Sequence, residues 1–205
     1  MFMQLQRLLS VSACSKASLF GFATLFSASS YSHVGHDHGE QTNAFFSGII
    51  HPITGLDHLV ALIGFGMLAG FMGHKHASKS LSFKFMIAAL VSLLMGLVGG
   101  RILGAVSGLE TLIMASLFVV ALGIWNVFSA RESLSTLLVA AAVSLIFFHG
   151  FAHGVEAQGS IIQFTFGMLI SAAALMMLGR KVSSLMTHKW AAIGVVSTSA
   201  ALALM

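Results

Sequence analysis

From residue 44 onward, long apolar runs alternate with short polar ones. Six runs, at roughly 46–72, 83–105, 111–129, 134–155, 161–179 and 190–205, carry Lys and Arg mainly at their ends. Most approach the ~20 residues that a helix needs to cross ~30 Å of hydrocarbon, and the last is short. In lipid every backbone polar group must be satisfied internally, and helices do this segment by segment. The pattern predicts an all-α fold, a polytopic membrane bundle of about six transmembrane helices forming one domain over residues 44–205.

The run before these is different. Residues 17–28 form an apolar stretch too short to span, preceded by Arg7 and Lys16 and followed by the small residues Ser30 and Ser32. Residues 1–32 therefore read as a cleaved signal peptide, and 33–43 as a short His-rich segment left outside the cytoplasm. The only cysteine, Cys14, lies in the signal region, which leaves the mature chain no disulfide or thiolate site.

Composition agrees with a bilayer as solvent. The 205 residues are 57% hydrophobic and 8% charged, with a mean hydropathy of +0.95, whereas soluble domains carry about 25% charged residues. The net charge of +4 reflects loop placement and not a nucleic-acid surface. With the mature N-terminus outside, the cytoplasmic loops hold Lys75, Lys79, Lys84, Arg131, Arg180, Lys181 and Lys189, against Arg101 alone on the other side. That is a strong positive-inside bias. It predicts a multi-pass protein of the bacterial inner (plasma) membrane with an extracytoplasmic mature N-terminus. Gly66-x-x-x-Gly70, Gly96-x-x-x-Gly100, Gly100-x-x-x-Gly104 and Gly150-x-x-x-Gly154 are spaced for close helix approach.

Polar residues also occur where lipid should exclude them. His51-Pro-Ile-Thr-Gly-Leu-Asp57-His58 opens the first run, and Phe148-His149-Gly-Phe-Ala-His153-Gly-Val-Glu156 closes the fourth. Ionisable groups inside membrane helices usually line a polar path. At about 100° per residue, His153 and Glu156 fall within about 40° of His149, on one narrow face. His58 returns to the face of His51 if that helix is continuous, although Pro52 fits best in a first helical turn, which would put His51 at the helix start. Asp57 points elsewhere, either as a ligand from a neighbouring face or as an acceptor that fixes an imidazole tautomer. The topology sets both motifs in the outer half of the bilayer. Imidazole and carboxylate without thiolate suit nickel, cobalt, zinc or copper(II), not magnesium or calcium.

HPITGLDH and FHGFAHGVE resemble the two signature motifs of the HupE/UreJ family of nickel/cobalt permeases, HPxxGxDH and FHGxAHGxE. The resemblance extends over most of the mature chain. It implies a transporter and not an enzyme, with a divalent ion (Ni2+ or Co2+, with Zn2+ or Cu2+ open) as its substrate. It also implies His51, Asp57, His58, His149, His153 and Glu156 as the metal ligands.

Other candidates surround this set. His33, His36 and His38 are suited to capturing metal outside, Glu110 to an accessory role at the mouth, and His74, His76 and His188 to receiving metal within. Arg101 reads as a boundary residue whose head group reaches the interface, and the 12 Met as gap fillers. No G-x-x-x-x-G-K-[ST] loop is present, so ATP-driven transport is not expected. The rival readings are an intramembrane zinc hydrolase, with Glu156 or Asp57 as general base, and a membrane metal sensor or accessory subunit.

Overall fold

The computed structural model describes residues 43–157 and 159–204; the signal-peptide assignment and His33, His36 and His38 lie outside the described residues. Seven helices make up the described chain: α1 (Ala44–Thr54), α2 (Leu56–Lys75), α3 (Lys79–Leu103), α4 (Leu109–Asn126), α5 (Glu132–Glu156), α6 (Ile161–Val182) and α7 (His188–Ala203). No strand occurs among the described residues. Helices α2 to α6, of 18 to 25 residues, are each long and apolar enough to cross a membrane. The 16 residues of α7 span only ~24 Å at 1.5 Å per residue. The protein is an all-α polytopic membrane bundle.

The expected first run is not one helix. Pro52 lacks an N–H, and a proline ring clashes with the carbonyl four residues earlier, so the hydrogen-bond ladder fails here. Helix α1 ends at Thr54, and Gly55 follows in an extended conformation (φ −77°, ψ 109°) before α2 starts at Leu56. Pro52 thus lies near the end of α1 and not in a first turn, and His51 is not at a helix start.

Polarity is distributed as in a lipid-soluble bundle. The buried polar set comprises Ser82, Ser116, Ser135, His149, His153, Ser171, Ser183 and Ser199, while Ile87, Val91, Met95, Val98 and Ile102 form an exposed apolar stripe along α3. Small residues draw the helices together, because without a hydrophobic drive in lipid, packing depends on close backbone approach. A Cβ on Gly96 or Gly100 would strike the backbone of Phe147 or Phe151, and one on Gly150 or Gly154 would strike the carbonyls of Leu93 or Leu97. Helices α3 and α5 are therefore locked face to face, and Ser92 Oγ donates to the Val143 carbonyl between them at 2.7 Å. Gly66 and Gly179 do the same between α2 and α6, and Gly48 and Gly167 between α1 and α6. The Gly100-x-x-x-Gly104 spacing plays no such part. Gly104 caps α3 at φ +73° with nothing within 4 Å of an added Cβ.

The three turns after α2, α4 and α6 meet at one end. Lys75 and His76 reach Glu132 at 2.7 and 3.0 Å, and Arg180 Nε donates to Ser82 Oγ at 3.1 Å. The basic residues assigned above to the cytoplasmic loops thus lie opposite the end where α1 meets α2 and α5 meets α6, and Arg101, in the last turn of α3, lies at that other end.

Candidate metal site

The break at Gly55 sets the first half of the site. Ending α1 early leaves His51 in its last turn, with the His51 carbonyl accepting from the Gly55 N–H at 3.1 Å. Restarting at Leu56 places Asp57 in the first turn of α2, where unpaired N–H groups and the helix dipole favour a carboxylate. Gly55 lies directly beneath these side chains: an added Cβ would sit 3.0 Å from His58 Nδ1 and 3.2 Å from Asp57 Oδ1.

Helix α5 supplies the second half. Gly150 and Gly154 face α3, so the histidine preceding each of them, rotated by about 100°, is turned inward instead. His149 and His153 are buried, at 3% and 2% exposure. Their partners come from the broken helix. The His153 ring centroid lies 4.5 Å from that of His51 and 4.4 Å from that of His58, and His149 lies 5.1 Å from His58. Phe164 of α6 closes the side near His51 and His153, at 6.2 and 6.3 Å.

Two overlapping donor sets result. His51, His58 and His153 form one and Asp57, His58 and His149 the other, each with ligand atoms within 4.8 Å of one another. Two nitrogens bound to one ion at ~2.1 Å stand at most ~4.2 Å apart, so a small contraction would close either set on a cation. Nε2 of His58 and Nδ1 of His153 are buried with no hydrogen-bond partner among the described residues. Asp57 Oδ1 lies 2.6 Å from His58 Nδ1. This close contact engages Nδ1 of His58 and holds the ring in place. Unsatisfied buried nitrogens cost on the order of 1–3 kcal/mol each unless a ligand engages them.

One neighbour is a residue the sequence reading missed. Ser116 of α4 is fully buried; its hydroxyl donates to the Ile113 carbonyl at 2.6 Å and lies 2.7 Å from His149 Nε2. A hydroxyl has one proton, and that proton is committed to Ile113. With that bond made, the Ser116 oxygen accepts from His149 in the tautomer that carries its proton on Nε2, and in that tautomer Nδ1 offers the ring's lone pair. An isolated serine in an otherwise apolar run was the available signal.

Comparison with known proteins bears on the same residues. The family described as HupE / UreJ protein matches residues 21–205, a span that contains both motifs. The chain belongs to the HupE/UreJ family. Protein HupE of Rhizobium leguminosarum bv. viciae is 27% identical over 169 residues, covering 79% of this chain and 82% of that protein. No solved structure matches the chain. HupE/UreJ proteins are membrane proteins connected with metal transport, and the histidine and aspartate groups described above form a candidate metal site in this member.

The remaining candidates lie elsewhere. Glu156, the last residue of α5, and Glu110, in the first turn of α4, are exposed and outside both donor sets. At the opposite end His76 pairs with Glu132, His188 packs on Phe71 and Phe128, and His74 lines a surface cavity.

Proposed function

We propose that this chain is a secondary, non-ATP-driven permease of the bacterial inner membrane that takes up a divalent transition metal ion, nickel or cobalt. The carrying observation is the convergence of four imidazoles and one carboxylate, from stretches about a hundred residues apart, with buried nitrogens left unpaired. Imidazole nitrogens suit nickel, cobalt, zinc and copper(II), while the single carboxylate is too little oxygen for calcium or magnesium.

The two donor sets give the ion two successive positions. His51 and His153 lie nearer the helix ends, and His149 lies one turn deeper in α5, or ~6 Å. His58 belongs to both sets. In this mechanism an ion shed of part of its water meets His51, His58 and His153 first. It then passes along the two nitrogens of His58 toward His149 and Asp57, whose charge offsets part of the cation's. The broken helix is the element that moves, since discontinuous membrane helices commonly frame ion sites where rocking of one part opens the other side. A negative interior supplies the drive, ~4.6 kcal/mol per 100 mV for a double charge, at ~2.3 per unit charge.

Glu156 and Glu110, exposed at the same end, then serve to concentrate cations at the mouth, and the His33, His36 and His38 segment to capture them. The test is uptake of radioactive nickel and cobalt into sealed liposomes holding only this protein, with an inside-negative potential and with zinc and copper as competitors. Saturable uptake that nickel or cobalt competes for best supports the proposal. Uptake equal to protein-free liposomes overturns it.

A further inference from the structure

A second polar region lies at the other end of the bundle, where α2 ends, α3 begins and α6 ends. Two adjoining cavities there share His74 and Arg180. One, of about 320 Å³, is also lined by Ser78, Lys79 and Ser82. The other, of about 470 Å³, is lined by Lys181 and Ser184 and by the apolar Met177 and Leu178.

Among the described residues no carboxylate balances this positive charge. The acidic residues among the described ones are Asp57, Glu110, Glu132 and Glu156. Three of them belong to the opposite end, and Glu132 is engaged by Lys75 and His76. Arg180, moreover, is held in place. Its Nε donates to Ser82 Oγ at 3.1 Å, and its guanidinium carbon stands 4.6 Å from the centroid of the Phe83 ring. A guanidinium has five N–H donors, and the four on its terminal nitrogens have no acceptor among the described residues.

A fixed fork of donors with lysines beside it matches two oxygens of a phosphate group better than a single-point anion. The surroundings indicate where that phosphate comes from. The cavities open beside exposed apolar side chains of α3 and α6, Phe83, Met177 and Leu178, with Leu185 just beyond at 78% exposure. Such side chains would lie along acyl chains directly below a head group. Basic pockets between membrane helices on a Lys/Arg-rich side take anionic lipid head groups. The same concentration of positive charge repels a metal dication, which disfavours these cavities as cation sites.

We propose that the α2–α3–α6 cavities form a binding site for the phosphodiester head group of an anionic phospholipid, held by Arg180 with Lys79 and Lys181. The inference rests on this end of the molecule alone and does not depend on which ion the histidines carry.

The test is native mass spectrometry of the full chain released from detergent containing equal phosphatidylglycerol and phosphatidylcholine, with thermal unfolding measured in each lipid. The wild-type protein should retain phosphatidylglycerol several-fold over phosphatidylcholine and unfold at a higher temperature with it. The double variant Lys79→Gln/Lys181→Gln, altered at two exposed positions, should lose both effects while unfolding normally in phosphatidylcholine, and Arg180→Gln should lose the retention. Soluble glycerol phosphate, the competing arm, should not displace the bound lipid. Equal retention of the two lipids, unchanged preference in the double variant, or displacement by glycerol phosphate would each overturn the proposal.

Discussion

Ser116 Oγ stands 2.7 Å from His149 Nε2 and donates a hydrogen bond to the Ile113 carbonyl at 2.6 Å. Through this pair α4, which contributes no ligand to the donor sets, favours the His149 tautomer with its proton on Nε2 and its lone pair on Nδ1. Ser116→Ala removes the acceptor and frees the ring to take either tautomer. Metal affinity should fall by about 10- to 100-fold, the usual cost of losing a partner that orients a ligand. Nitrogen chemical shifts of His149, read in metal-free protein, should change from one tautomer to a mixture. Unchanged shifts and affinity would remove Ser116 from the site.

Glycine packing supports the site from outside. Gly154→Ala would drive a methyl into the Leu97 carbonyl, whereas Gly194 has nothing within 4 Å of an added Cβ. Overpacking of this kind costs about 1–3 kcal/mol, while alanine at an open helical position gains up to about 1 kcal/mol over glycine. Gly154→Ala should therefore lower the unfolding temperature in detergent, and Gly194→Ala should leave it unchanged or raise it. Equal effects at the two positions would show that α3 and α5 do not approach as described.

Gly55→Val tests the helix break separately. Its side chain would press on His58 Nδ1 and Asp57 Oδ1, 3.0 and 3.2 Å from the first added carbon. Nickel binding should weaken more than tenfold, with much less change in unfolding temperature than Gly154→Ala causes. Binding that survives while stability falls would mean that Gly55 serves packing and not the site.

Protons compete with the cation for the same lone pairs. A ligand imidazole must be neutral, so metal binding releases whatever protons the rings hold. Affinity should therefore be highest where the rings are neutral and should decline as pH is lowered into the range where they take up protons. Isothermal titration from pH 8 to pH 5 measures this directly. Affinity that rises on acidification would contradict imidazole ligation.

The sequence foretold this arrangement unevenly. Run lengths gave the helices to within a few residues, and the four-residue interval between His149 and His153 placed both rings on one face, as found. The Gly66/Gly70, Gly96/Gly100 and Gly150/Gly154 pairs were also legible, because close approach is the main reason to place small residues at that spacing, whereas Gly104 caps α3 and packs on nothing. The break at Gly55 was not. Pro52 is compatible with a helix start or with an interruption, and only the packing of α1 against α6 decides between them. Asp57 was read as either a ligand or an orienting acceptor, and it is positioned for both, touching His58 while grouped with His149. Glu156 shares the periodicity of His149 and His153, but α5 ends there, and its side chain is exposed outside the cluster. Ser116 carries no pattern of its own, since its role depends on a residue 33 positions away.

Nickel-edge X-ray absorption on the purified, nickel-loaded protein tests most directly whether the two motifs share one cation. The spectrum should show several imidazole ligands, and His58→Ala and His149→Ala should each reduce that number. A nickel environment without imidazole scattering, or one unaltered in both variants, would contradict the account.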